Sequence, residues 1–181
     1  NITVQTNAGI LKLQFENSEN ITILMGIPKF EPIDIPFNRD CQAQLYPLKI
    51  ASEIYQLAAL SIGNPHAVLQ VEDITCAPVT ELGPQIENHD DFPEKVNAGF
   101  MEIVSRREIK LRVYERGAGE TNACGSGACA AVIAGIQQDL LESSVTVHLS
   151  GGQLDISWAG TGQPVTMRGP AETVFHGRIK I

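Results

Sequence analysis

Apolar and polar residues alternate over many short stretches of the chain, a spacing that predicts β-strands. The first stretch, residues 2–15, surrounds the turn-prone tetrapeptide Thr6-Asn7-Ala8-Gly9 and therefore predicts a β-hairpin. A third strand is expected around Ile21, Ile23 and Met25. Further strands are predicted at about 44–51, 57–62, 67–71, 99–105, 109–115, 145–149, 154–158, 165–167 and 174–181.

Two stretches instead space their apolar residues by three or four, as a helix with a buried face does. The first, at about 78–88, contains Val79, Leu82 and Ile86. The second, at 124–141, is rich in alanine and predicts a buried helix. Many strands with two helices predict an α+β fold.

Three prolines, Pro28, Pro32 and Pro36, follow Gly26 at four-residue spacing. Because proline interrupts both helices and central strands, this stretch predicts a crossing loop. We expect the first domain boundary there.

Composition and charge narrow the class of protein. With 181 residues, of which 43% are hydrophobic, the chain has room for one compact domain or one half of a two-lobed protein, and disorder throughout is excluded. A net charge of −8 disfavours binding to nucleic acid. No apolar run is long enough to span a bilayer, so we expect neither a membrane segment nor membrane association, and a cytoplasmic location.

Four cysteines, at positions 41, 76, 124 and 129, are too few for a disulfide-stapled secreted scaffold of this length, which favours reduced thiols. The chain begins at Asn1 and not at a methionine, and the alternation of apolar residues typical of a strand starts at the second residue, Ile2. We therefore expect that an upstream part is missing.

The densest group of unusual residues lies between Glu115 and Cys129, where a predicted strand leads through a glycine-rich loop into a helix. That helix starts at Cys124, so the helix dipole and free amides are expected to lower the thiol pKa below about 8.5. Cys124 is therefore a candidate base or nucleophile. Gly125 and Gly127 leave backbone amides uncovered, which suits a bound carboxylate, phosphate or enolate.

The alternative is that these small residues only let the helix pack against the sheet. This alternative is favoured for Cys129, inside the helix, and disfavoured for Cys124. Zinc binding by the two cysteines is disfavoured because residues five apart on a helix diverge, and we expect no metal. The loop is not a nucleotide-binding P-loop, because no Gly-Lys-Ser/Thr follows the glycines.

A second candidate group is Gly63-Asn64-Pro65-His66, between two predicted strands. There His66 could exchange protons with a thiol, and Asn64 could hold a substrate carboxylate or ammonium group. On the tetrapeptide alone, a turn with a surface histidine is the default. Asn97, before Ala98-Gly99, has the same ambiguity.

The segment 115–131, with Gly63-Asn64-Pro65-His66 and the segment 93–100, resembles the diaminopimelate epimerases. The resemblance includes Leu82-Gly83-Pro84 and Arg112-Val113-Tyr114 and extends along essentially the whole chain. It implies one of two pseudo-symmetric lobes, with a mixed or antiparallel sheet wrapped around a central buried helix. Members of this family interconvert LL- and meso-diaminopimelate for lysine and peptidoglycan synthesis, with two cysteines and no cofactor.

The resemblance also implies roles for individual residues. Cys124 matches the second catalytic cysteine, and His66 matches a histidine thought to modulate the thiol pKa values. Glu115 and Arg116 match residues able to grip the distal amino acid group of the substrate. The substrate-binding positions in full are Asn64, Asn97, Glu115, Arg116, Gly125 and Ser126. Phe175 stands where the family often has a tyrosine at its homodimer contact, so a homodimer is expected for the full-length protein.

One part of the family pattern is absent. The other family cysteine lies in a Cys-Gly-Asn-Gly type of motif, which does not occur here, and the surroundings of Cys41 and Cys76 fit it poorly. We therefore expect this chain alone to be inactive. Residues 25–169 are expected to form the C-terminal lobe, and 1–24 and 170–181 to supply strands to the sheet of the other lobe.

Three rival functions remain open on the sequence. The first is another two-thiol isomerase of the same fold, such as a proline racemase-like enzyme with a shorter substrate. The second is a binding fragment that holds a carboxylate without turnover. The third is acyl transfer, with Cys124 and His66 as a dyad.

Overall fold

The computed structural model describes residues 2–6, 9–15, 20–172 and 174–180. The described helices are α1 (Val79–Glu87) and α2 (Gly125–Gln137), with one 3₁₀ turn at Pro32–Asp34. The described strands are β1 (Ile2–Thr6), β2 (Gly9–Phe15), β3 (Asn20–Gly26), β4 (Tyr46–Ile50), β5 (Glu53–Ser61), β6 (Pro65–Val71), β7 (Asn97–Ser105), β8 (Glu108–Glu115), β9 (Gly119–Thr121), β10 (Ser144–Leu149), β11 (Gly152–Trp158) and β12 (Val165–Pro170). The predicted α+β class is confirmed.

These strands form one mixed sheet in the order β1-β2-β3-β12-β11-β10-β8-β7-β6-β5-β4, with the short β9 paired to β8. The pairs β6/β7 and β8/β10 are parallel, and the other pairs are antiparallel. The hairpin predicted at 2–15 is present as β1 and β2, while Asn7 and Ala8 of its turn lie outside the described residues.

The strands from β5 to β7 are covered on both faces, which explains their long runs of buried residues. On β5, Ala58 and Leu60 belong to the core around α2. Their neighbours Leu57 and Ala59 belong to a second core, around α1. Because side chains alternate along a strand, the two helices lie on opposite faces of this part of the sheet.

The second helix packs closely on its face of the sheet. All nine residues 127–135 are buried, and they pack with apolar residues of β8, β10, β11 and β12. Small side chains, four of them alanines, allow this close approach. Neither helix in the described part of the chain is long and apolar enough to cross a membrane.

The structure differs from the predictions in three places. The second helix ends at Gln137 rather than Leu141, because Asp139 takes a left-handed conformation (φ 58°) and the amide of Leu140 returns to the carbonyl of Gly135. The prediction of a strand at 174–181 is wrong for residues 174–180, which have no regular structure; residue 181 lies outside the described part. The sequence pattern also did not predict β9, which is only three residues long.

The proline-rich stretch is irregular apart from its 3₁₀ turn and one bridge between Lys29 and Ser61. Strand β3, which precedes this stretch, pairs with β12, so the first three strands and the last strand lie side by side in the same sheet. The division into residues 25–169 and flanking strands of another lobe stays a prediction.

Candidate functional site

The candidate site lies at the edge of the sheet where β6 and β7 begin and β8 ends. Because β6 and β7 are parallel, His66 lies directly opposite Asn97. The antiparallel β8 pairs Tyr114 with Ala98, which brings the next residue, Glu115, to the same edge. Strand pairing therefore joins three segments that are distant in the sequence.

Cys124 is the residue immediately before α2, and it has an extended backbone (φ −134°, ψ 103°). Its carbonyl accepts the first helical hydrogen bond, from the amide of Ala128 at 2.9 Å. The amides of Gly125 and Ser126 have no acceptor among the described residues, as expected for the first turn of a helix. These are the amides for which the glycine-rich sequence predicts anion binding, and that role stays a prediction.

Gly127, in the first turn of α2, lies close to the Cys124 thiol. Its amide hydrogen bonds to the Cys124 sulfur. A Cβ atom at this position would lie 3.2 Å from that sulfur and 3.0 Å from Cγ2 of Val113. Glycine therefore lets the first turn of the helix approach both the thiol and β8.

A line of hydrogen bonds runs from the thiol towards the interior. Oγ of Ser126 lies 3.7 Å from Sγ of Cys124 and accepts a hydrogen bond of 3.3 Å from Nδ2 of Asn64. Oδ1 of Asn64 in turn accepts one of 3.0 Å from Nε2 of His66. The structure thus brings together four of the residues predicted for the site.

His66 is not the surface residue that the tetrapeptide alone favours. It is 1% exposed, and burial together with the charge of Arg116 lowers its pKa from 6.5 to about 3. The neutral ring donates to Asn64, so Ser126 and Asn64 connect it to Cys124. No direct dyad of Cys124 and His66 is formed, which removes the geometric basis for acyl transfer.

The predicted low pKa of Cys124 is wrong. The residue is 5% exposed, and this burial raises its thiol pKa to about 11. Hydrogen bonds from the Gly127 amide and the Ser126 hydroxyl lower it, but they do not offset the loss of solvation.

Glu115 also raises the thiol pKa, because its carboxylate accepts a hydrogen bond from Cys124 and bears a negative charge. A second hydrogen bond, from the hydroxyl of Thr121 on β9, fixes this carboxylate. Sequence reasoning assigned Glu115 only to the distal group of a substrate. The contact with the thiol was not predicted because the eight intervening residues, which include the unpredicted β9, determine which way the Glu115 side chain turns.

Asn97 and Arg116 are connected to each other. The Asn97 side chain, buried at 4% exposure, accepts a 3.0 Å hydrogen bond from the amide of Arg116 and donates one of 2.9 Å to the carbonyl of Pro65. The exposed guanidinium of Arg116 donates to the carbonyl of Glu94. Asn97 thus joins the ends of β6, β7 and β8.

The remaining predicted residues lie elsewhere. Phe175 is 82% exposed in the irregular stretch after β12. All four cysteines are free; Cys41 and Cys76 are exposed, and Cys129 is fully buried in α2, as predicted. Burial raises the pKa of Cys129 to about 12. Within the ranges that the structure describes, no three ligating side chains are placed to hold a metal ion.

Comparison with known proteins gives the same family as the sequence motifs. Residues 58–174 match the family model described as diaminopimelate epimerase. The diaminopimelate epimerase of Pseudomonas entomophila is 53% identical over 99% of this chain, and that of Chromobacterium violaceum is 52% identical over the same share. The chain spans 65% of the length of these curated relatives.

Solved structures with a similar fold are distant in sequence. A hydroxyproline epimerase from Agrobacterium vitis is 16% identical, with a TM-score of 0.66 over 93% of this chain and 56% of its own. A probable proline racemase from Agrobacterium radiobacter is 13% identical, with a TM-score of 0.62 over 99% of this chain and 60% of its own. At these identities the likeness concerns the fold alone.

Proposed function

Because this chain belongs to the diaminopimelate epimerase family, we propose that it carries one half of a two-thiol site that epimerises LL-diaminopimelate to meso-diaminopimelate without a cofactor. The observation that carries the proposal is the position of Cys124. Its thiol lies at the start of α2, beside two free amides and in hydrogen-bond contact with Glu115. The curated relatives named for this activity support the choice of substrate.

The free amides of Gly125 and Ser126 are suited to hold the carboxylate next to the reacting carbon. When the α-proton leaves, negative charge moves from that carbon onto the carboxylate oxygens. Amides that already point at these oxygens stabilise the developing charge without reorganisation. The positive end of the helix dipole acts in the same direction.

Glu115 allows Cys124 to act both as an acid and as a base towards the α-carbon of the substrate. With a pKa of about 11, Cys124 is a thiol at neutral pH and donates its proton directly to the α-carbon. To act as a base it must first lose that proton, and the Glu115 carboxylate is the acceptor in contact with it. The C–H bond then breaks, its proton passes to the Cys124 sulfur, and the electron pair stays on the substrate.

Epimerisation also needs a second acid on the opposite face of the α-carbon. Cys129 is fully buried inside α2, and Cys41 and Cys76 are exposed without glycine neighbours. None of them is suited to this role. We therefore propose that the chain of 181 residues does not turn over substrate by itself.

The substrate-binding roles of Asn64, Asn97 and Arg116 belong to the same proposal. Asn64 and Ser126 are partly exposed beside the thiol. Arg116 is exposed at the same edge of the sheet, directly after the end of β8. An exposed guanidinium suits the distal carboxylate of a long substrate. This favours diaminopimelate over a shorter substrate such as proline.

We also propose a homodimer of the full-length protein, located in the cytoplasm, with Phe175 at the contact. Phe175, Val174 and Ile179 are apolar and strongly exposed, as residues of an interface are in an isolated chain. Sedimentation of the full-length protein and of its Phe175→Asp variant tests the contact. A dimer of unchanged strength in the variant would contradict it.

The activity is tested by proton NMR of LL-diaminopimelate in deuterated buffer with the full-length gene product, dialysed free of cofactors. We expect loss of the α-proton signal with appearance of the meso isomer. The Cys124→Ser variant should lose this exchange by more than about 1,000-fold, since an alcohol is a far weaker acid than a thiol. The matched control, Cys76→Ser, alters an exposed thiol and should retain it.

Three results would contradict the proposal. No exchange from folded, reduced full-length protein would remove diaminopimelate as the substrate. Exchange of the α-proton of proline instead would favour the racemase-like alternative. Full activity of Cys124→Ser would remove Cys124 from the chemistry.

A further inference from the structure

We propose that Glu87, the last residue of α1, is a positioning residue that holds the segment 115–117, and with it Glu115, from the side of the sheet opposite α2. This inference rests on the proposed function, because the residue it positions is the one placed beside the Cys124 thiol. It concerns a carboxylate that no step of the proposed reaction uses.

Glu87 is in an unfavourable environment for a carboxylate. Its side chain is only 7% exposed, and it lies at the C-terminal end of α1, where the helix dipole disfavours negative charge. Such a group is retained only if its oxygens are well satisfied.

The strongest contact of Glu87 is with the loop after β8. Its Oε1 accepts a hydrogen bond of 2.7 Å from the amide of Gly117. Gly117 has a left-handed backbone (φ 75°), a conformation that most other residues avoid, so the loop turns sharply at this point. The weaker contacts of Glu87 are with Nδ2 of Asn88 at 3.3 Å and Nζ of Lys95 at 3.8 Å.

The same helix also holds the other end of this segment. Gly83 lies against the ring of Tyr114 so closely that a Cβ atom would be 2.6 Å from the ring. Thus α1 contacts the residue just before Glu115 through packing, and the residue just after Arg116 through the Glu87 carboxylate. Glu115 lies between these two fixed points and contacts Cys124.

The fixed backbone matters because the Glu115 carboxylate must stay within proton-transfer distance of the thiol. Misplacement of such a group by about 1 Å can lower a rate by about 100-fold. Removal of the Glu87 carboxylate leaves the Gly117 amide without its acceptor and frees the turn. We therefore expect the effect on kcat rather than on substrate binding alone.

The test compares three variants of the full-length gene product. Glu87→Ala removes the acceptor, and we expect kcat for diaminopimelate to fall by roughly 10- to 100-fold. Glu87→Asp withdraws the carboxylate by one methylene and should lose at least about fivefold. Glu87→Gln keeps an oxygen for the Gly117 amide and should stay within about threefold of the wild type.

A second measurement needs no substrate. Iodoacetamide labelling of Cys124, followed by mass spectrometry of its peptide across a pH series, reports the thiol directly. Because the Glu115 carboxylate raises the thiol pKa, freeing Glu115 should move the labelling midpoint of Glu87→Ala to lower pH. Lower stability alone would leave this midpoint unchanged below the melting temperature. Glu142→Gln, which breaks an exposed ion pair with Arg107, is the control and should change neither measurement.

The outcomes separate the two proposals. If the wild type does not act on diaminopimelate, the proposed function fails, and labelling still tests Glu87. If folded Glu87→Ala keeps the wild-type kcat and labelling profile, the positioning role is wrong. If Glu87→Ala does not fold, equal kcat values and labelling profiles for Glu87→Asp and Glu87→Gln would overturn it.

Discussion

Asn97 and Arg116 are joined across two strands by a hydrogen bond in which the Arg116 amide donates to Oδ1 of Asn97 at 3.0 Å. The other end of the Asn97 amide donates to the carbonyl of Pro65 at 2.9 Å. The side chain therefore connects the starts of β6 and β7 with the end of β8. A residue expected from family resemblance to bind substrate also organises the edge of the sheet at which the site is built.

Asn97→Ala should destabilise the protein by about 2 kcal/mol or more, because it leaves the Arg116 amide and the Pro65 carbonyl without a partner. Denaturant unfolding of the full-length protein measures the loss. Asn38→Ala is the control, since its side chain makes a similar bond to the Asp90 carbonyl in an exposed position. Equal effects of the two substitutions would contradict the role of Asn97.

The buried, neutral His66 should make the protein less stable in acid. Its pKa is about 3 in the folded protein and near 6.5 when exposed, so between these values the unfolded chain binds a proton that the folded chain does not. The contribution of His66 to stability is therefore complete above about pH 6.5 and is lost as the pH falls towards 3.

Melting temperatures between pH 7 and pH 4 test this expectation. His66→Gln, whose side-chain amide still offers a donor to Asn64, should show a flatter profile than the wild type. His176→Gln changes an exposed histidine and should leave the profile unchanged. A parallel profile for His66→Gln would mean that His66 binds its proton with the same pKa in the folded and the unfolded protein, which would contradict this expectation.

Ser126→Ala should make the Cys124 thiol less reactive. The Ser126 hydroxyl lowers the thiol pKa by hydrogen bonding, so its removal raises that pKa further. Labelling of Cys124 by iodoacetamide at pH 8 should slow by about two- to fivefold. The exposed Ser150→Ala is the control, and faster labelling of Ser126→Ala would contradict the assignment.

Gly83→Ala should disturb the contact between α1 and β8. The new methyl group would lie 2.6 Å from the Tyr114 ring, so the ring or the helix must move, at a cost of about 1–3 kcal/mol. Thermal unfolding should show a lower midpoint than for Thr80→Ala, which alters an exposed position of the same helix. An unchanged midpoint would show that the two elements separate without cost.

Much of the fold follows from local patterns. Alternation predicts the hairpin β1/β2 and most other strands, and helical spacing predicts α1 and α2, since both patterns depend on neighbours only a few residues apart. Local patterns fail at the C-terminal stretch. Phe175, Ile179 and Ile181 stand at even spacings, as residues on one face of a strand do. A strand also needs a partner, however, and residues 174–180 pair with none of the described strands.

The sequence by itself determined the family and the identity of the candidate catalytic cysteine, because the segment around Cys124 is dense in residues with special chemistry. The tertiary structure decided how that thiol behaves. A helix start alone predicts a low pKa, but burial in the core and the Glu115 carboxylate raise it to about 11. Solvation and the direction of a side chain depend on groups that only the packed sheet brings together, so a local pattern does not contain them.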